Sequence, residues 1–326
     1  MQRRHMLQTL GAASIAAALP AFGQTYPSRP LRLVVPFPPG GPTDAFARLY
    51  AEAMSKHIGQ SVVVDNKAGA SGAIGSLEVR NSAPDGQTLL FGTASTHTLY
   101  NLVEPQPRYD AAADFDYVAV LGGAPAAFAV STAMPGTIKG LVAAAKQNPD
   151  KFNYGSPGTG TLLHVAAERL KQLTAAPITH VPYKGSGPAM QDLMGGTIEM
   201  AVGTLGGMLP LHRSGKMRLV GVATAKRVAL ASDIPTVSES AELPEPFEAM
   251  LWHVVALPRK TPPAIMKALA DASQRAMADN NLLTKLGDQG MFADLHVGDA
   301  AAEAYVKAEA AKWKPIIAKL GDLNKG

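Results

Sequence analysis

Val34-Val35-Pro36-Phe37-Pro38-Pro39-Gly40-Gly41-Pro42-Thr43-Asp44 is the stretch on which the reading of this chain turns. Leu31 to Val35 has the composition of a short buried strand, and a stiff Pro/Gly turn follows it. Phe46, Leu49, Tyr50 and Ala53 are then spaced as one face of a helix. Thr43 suits the N-cap, and Asp44 the positive end of the helix dipole. Gly40 and Gly41 leave main-chain N–H groups uncovered, so a ligand can come close. Strand, bare turn and helix start together make an anion site that needs no Lys or Arg.

Asn153-Tyr154-Gly155-Ser156-Pro157-Gly158-Thr159-Gly160-Thr161 repeats the plan ahead of a helix expected from Leu162 to Leu173. Here Ser156, Thr159 and Thr161 add hydroxyls, and Thr159 or Thr161 is expected to cap the helix. Two such loops suggest a small anion held between two lobes. A third glycine turn, Asn66 to Gly72, follows an expected strand at Ser61 to Asp65, and Thr88 to Gly92 runs into Ser95, Thr96 and His97. Alternating strands and helices call for a largely parallel sheet with its ligand beyond the carboxyl ends of the strands.

Asp114 to Gly123 and Ala126 to Val130 read as two strands broken by Pro125, where a lobe crossover is expected. Ile178 to Gly185 reads as a strand into a turn ahead of a helix from about Pro188 to Met194, and with strands at Glu199 to Gly203 and Leu219 to Thr224 it builds a second α/β lobe. Glu248 to Leu257 reads as a strand returning to the first, before helical blocks at 262–278, 281–289 and 299–320. The expected division is 24–124 with 226–326 for lobe 1, and 125–225 for lobe 2.

The 326 residues carry 30 basic and 26 acidic side chains, scattered rather than striped, so no nucleic-acid partner is expected. Cysteine is absent, which removes thiolate metal sites and cysteine nucleophiles. Arg3 and Arg4 precede an uncharged Ala/Leu-rich run, and Ala21-Phe22-Gly23 fits a small-x-small cleavage site. Residues 1–23 are therefore expected to be a signal peptide, with a partial twin-arginine pattern, and the mature protein to be exported to the periplasm. No phosphate loop, G-x-S-x-G elbow or metal-spaced histidine pair is present, so neither enzyme activity, cofactor nor metal is expected.

Pro36 to Asp44, Val63 to Ala70, Pro84-Asp85-Gly86-Gln87-Thr88-Leu89-Leu90, Tyr154 to Thr161, His180 to Gly185 and Asp233 to Val237 together resemble the substrate-binding proteins of tripartite tricarboxylate transporters, the Bug family. The resemblance spans essentially the whole mature chain. It implies a type II-like periplasmic-binding-protein fold. Each lobe would be a mostly parallel sheet flanked by helices, with two crossover strands as hinge. It also implies a monomer that captures a small organic carboxylate and delivers it to a membrane permease. The contacts it implies fall on Phe37, Gly40, Gly41, Thr43, Asp44, Ala68, Gly69, Ala70, Ser95, Thr96, Ser156, Gly158, Thr159, Gly160 and Thr161. Thr204 stands where an acid is frequent in the family, which argues against an amino-acid ligand. His253 is expected to read the far end of the ligand. A dicarboxylate is favoured; an aromatic one such as terephthalate is admitted if Phe37 and Trp252 flank its ring. The alternatives are a protein that presents its ligand to a sensor kinase, and an exported hydrolase using Ser156 or Ser95 with no base visible in the sequence.

Overall fold

The structure, a computed structural model, describes residues 26–149 and 151–323. The expected leader and its cleavage point lie outside the described residues.

Ten strands form one curled sheet in the order β2-β1-β3-β9-β4-β7-β5-β6. At one end, β1 (Leu31–Val35) lies parallel between β2 (Val62–Asn66) and β3 (Thr88–Thr93). At the other, β5 (Asn153–Ser156) lies parallel between β6 (Thr179–Pro182) and β7 (Met200–Thr204). Between the two triads run β4 (Phe115–Val130) and β9 (Met250–Pro258), antiparallel to each other. β8 (Arg218–Val222) and β10 (Phe292–Val297) pair with opposite ends of β4. The result is the expected two-lobed α/β fold, with β4 and β9 as crossover strands.

β4 corrects one expectation. It is a single sixteen-residue strand that passes through Pro125. Phe115 to Pro125 face β9, whereas Ala126 to Val130 face β7. Proline lacks an N–H and is normally excluded from central strands. Here it sits at the handover between two partners. β10 was not expected at all: Phe292-Ala293-Asp294 are exposed, so the edge strand shows no buried alternation to read.

Helices cover the sheet for reasons visible in their sequences. α1 (Pro42–Ile58) starts with proline at its first position and stops at Gly59, whose φ is +79°. It buries Phe46, Ala47, Tyr50, Ala53 and Met54 along one face. The C-terminal helix (Asp299–Leu320) buries Ala302, Val306, Trp313 and Ile317. It packs on β4 and on the helix Leu162–Thr174, where Gln172 Nε2 donates to the Lys319 carbonyl (2.9 Å). One cluster of buried residues runs through both ends of the sheet, so the halves share a core.

The crossover strands approach so closely that a Cβ on Gly123 would lie 1.9 Å from the Leu251 carbonyl oxygen. Backbone must move to admit it. Gly123→Ala is expected to destabilise the fold by more than about 3 kcal/mol, measured as a shifted denaturant midpoint.

Candidate ligand-binding cleft

The first loop, between β1 and α1, is shaped by Asp44. Its buried carboxylate accepts from Gly40 N–H (2.9 Å), Arg48 Nε (3.0 Å) and Asn66 Nδ2 (2.9 Å). Asn66 also donates to the Phe37 carbonyl (3.1 Å). Burial raises the Asp44 carboxyl, but those donors outweigh it and hold it below the usual carboxylate range. Asp44 thus fastens its own loop, and the Gly40 amide is already taken. Gly41, not Thr43, is the N-cap, because Pro42 occupies the first helical position. The amides of Gly41 and Thr43 have no hydrogen bond to any described residue. Thr43 Oγ1 instead lies 3.3 Å from His253 Nε2.

In the second loop Thr161 is the cap, its Oγ1 accepting from His164 N–H (3.4 Å). Other amides are spoken for: Gly158 N–H donates to Ser156 Oγ (3.3 Å), and Gly160 N–H to His164 Nδ1 (3.0 Å). Ser156 Oγ is 2.7 Å from His180 Nε2, and the His180 ring stacks on His164 at 4.0 Å. Burial lowers both imidazoles, to about 4 for His164 and about 3 for His180. His164 is therefore neutral at pH 7, with its proton on Nε2. Ser156 does have a histidine beside it, contrary to expectation. It is fully buried, however, and lines none of the cleft cavities described below, so a substrate cannot reach it in this geometry.

Two hydrogen bonds span the cleft. Ser71 Oγ donates to the Thr159 carbonyl (2.6 Å), and Leu162 N–H donates to Ser95 Oγ (3.0 Å). Ser71 reaches over from a run of left-handed backbone, Gly69, Ala70, Ser71 and Gly72, with φ of +138°, +46°, +53° and +98°. For Ala and Ser that conformation is strained.

These contacts divide the cleft into three cavities. One of about 180 Å³ is lined by Phe37, Gly40, Gly41, Thr43, Ser95 and Thr161, together with Leu163, Leu251 and residues 184–188. A second of about 540 Å³ touches Phe37, Ala68, Gly69, Ala70, Gly158 and Thr159. A third of about 300 Å³ touches Ala70, Ser95, Thr159 and Gly160. Asp44, Thr96, Ser156, Thr204 and His253 are buried and line none of them. Thr96 Oγ1 closes the turn onto Thr93 N–H (2.9 Å). Thr204 ends β7 ahead of a helix (Leu205–Arg213). His253 lies beneath Thr43, its ring edge-on to Phe46 at 5.0 Å. Trp252 is on the face of β9 opposite Leu251; it is fully buried against Tyr305 and donates to Glu309. It cannot flank a ligand ring, and the expected aromatic pair is reduced to Phe37.

Sequence reading missed Lys184-Gly185-Ser186-Gly187-Pro188, which lines the 180 Å³ cavity. It follows β6 and opens the helix Ser186–Met194. The plan of strand, glycine and helix start was legible there too. Ser186 and Gly187 carry amides with no bond to a described residue, as does Leu163. Three helix starts therefore converge on one small space.

Helix starts presented from both halves of a hinged sheet, with amides left open toward the gap, are the construction of a two-lobed solute receptor. The model of the tripartite tricarboxylate transporter family receptor matches residues 46–322, and the chain belongs to that family. BugT of Bordetella pertussis is 31% identical over 326 residues, covering 98% of this chain and 99% of BugT. An R. palustris protein solved with adipate superposes with a TM-score of 0.86 at 34% identity, over 91% of this chain and 98% of the other. MatC from Rhodopseudomonas palustris, solved with bound malate, gives 0.83 at 29% identity, over 90% and 100%. The fold and family are those of periplasmic solute-binding receptors.

Two outcomes follow from the cleft's chemistry. Ser71→Gly removes a bond across the cleft while relieving left-handed strain. The melting temperature is expected to hold or rise, and the radius of gyration of the ligand-free protein in small-angle scattering to increase. Acid should also weaken the fold. His164 is held at about 4, and His180, His97 and His253 at about 3, each lowered chiefly by burial. The unfolded chain takes up these protons as pH falls through about 6.5, and the native state does not. Stability should drop between pH 6.5 and about 4, by up to about 1.4 kcal/mol per pH unit for each of the deeply buried His97, His164 and His253, and by less for the part-exposed His180. His253→Leu should flatten that decline in a melting-temperature series.

Proposed function

We propose that the protein captures a small organic carboxylate, most simply an aliphatic dicarboxylate, and delivers it as a monomer to the permease of a tripartite tricarboxylate transporter. One observation carries this reading. Gly41, Thr43, Leu163, Ser186 and Gly187, whose amides are open, all line one cavity, and that lining contains no acidic residue. Once closure shuts this space off from water, such donors replace the hydration of a carboxylate at little reorganisation cost. Phe37, Leu163, Leu251 and the prolines of the same wall suit the carbon skeleton. The adipate and malate held by its structural relatives support the ligand class. In the cell the mature chain begins after residue 23, and 24–124 with 226–326 form one lobe, 125–225 the other. Ligand shifts the lobes toward closure, and the closed form is what the permease recognises.

A thermal-shift screen against carboxylic acids, with product analysis, tests the proposal. Saturable stabilisation by an unchanged acid is expected. Gly41→Val is the mutant of choice: Gly41 has φ −82°, and a Cβ there meets only the Pro38 carbonyl at 3.7 Å. The variant should fold normally and lose at least about 100-fold in affinity. Stabilisation by no acid, or release of a product, overturns the proposal.

A further inference from the structure

We propose that the Lys184 ammonium reads the second carboxylate of the ligand and so makes the receptor selective for dianions over monoanions. The inference rests on the carboxylate reading above and names the group that sets its substrate class.

Open amides recognise a carboxylate whatever is attached to it. They hold the first anionic group and say nothing about a second. A second negative charge entering the cleft needs a partner of its own, since an unpaired charge away from water is strongly disfavoured. Lys184 lines both the 180 Å³ and the 540 Å³ cavities. Among the described residues it is the one residue in either lining whose side chain carries a charge. The third cavity differs, because Glu104 and Arg108 both line it and offset each other.

Lys184 is also free to act. It makes no ion pair with a described residue, and Asp192, the acid on the helix that follows it, is engaged by the Tyr183 hydroxyl (2.6 Å). Its main chain is nonetheless fixed to the second loop. Tyr183 N–H donates to the Ser156 carbonyl (2.9 Å) and Gly185 N–H to the Pro157 carbonyl (3.2 Å). A Cβ on Gly185 would stand 3.4 Å from Pro38 of the opposite half. The lysine thus springs from a rigid point where the two halves meet. An ammonium on a flexible four-carbon stem can follow dianions of different lengths. A monoanion engages only the open amides and leaves the exposed ammonium in water, where its attraction for the ligand is largely screened.

Titration calorimetry on the wild type, Lys184→Gln and Lys184→Met tests this. The probes are the α,ω-dicarboxylates from malonate to azelate, and the monocarboxylate with the carbon number of the tightest binder. The wild type should prefer the dianion by about 10-fold or more, and the preference should shrink with added salt. In both variants the dianion should fall close to the affinity of the monoanion, with a much smaller loss for the monoanion. Equal wild-type affinity for the two, a preference that survives both substitutions, or a parallel loss of both ligands overturns the role of Lys184 and leaves the carboxylate reading standing. Wild-type binding of no acid overturns both.

Discussion

The antiparallel pairing of β4 with β9 is the constraint on which the rest depends. Each triad of parallel strands, with its covering helices, would face its loops toward solvent if it stood alone. Joined through two shared strands, the triads turn their carboxyl ends toward each other, and the loops after β1, β3, β5 and β6 meet across one gap. The tightness of that joint shows at Gly123, which leaves no room for a side chain. Everything chemical in the cleft is a consequence of this placement, because no single loop encloses a volume.

Within the cleft the governing question is which main-chain donors are already engaged. Asp44 takes Gly40, His164 takes Gly160, Ser156 takes Gly158, and Ser95 takes Leu162. Those bonds hold the loops in shape. The donors left over, at Gly41, Thr43, Leu163, Ser186 and Gly187, surround one space. In the proposed function, rigid loops with a few unpaired amides would be a site prepared before its ligand arrives, with less ordering entropy for binding to overcome.

Much of this was legible in the residues. Glycine between an apolar run and a helical period identified two of the three facing loops, and Phe37, Gly40, Gly41, Thr43, Ser95 and Thr161 do share a wall. The loop at Lys184 to Pro188 carries the same signal, a strand running into glycine ahead of a helix start. Other details lay beyond local pattern. That Trp252 faces away while Leu251 faces inward is decided by the alternation of β9 and by which face the C-terminal helix covers. That His253 supports Thr43 depends on the pairing of β3 with β9 beneath α1. Asp44 looked equally suited to a ligand and to the helix dipole, and only the positions of Gly40, Arg48 and Asn66 show it turned back on its own loop.

Pro125 has one more consequence. It stands where β4 stops pairing with β9 and begins pairing with β7, and it has no amide hydrogen to give. A ladder that already lacks a rung at that level has none to break there. The change of partner thus falls where the chain has no donor to lose, and Ala126 beside it is held by its N–H to the Ala249 carbonyl and by its own carbonyl from Ala223 N–H.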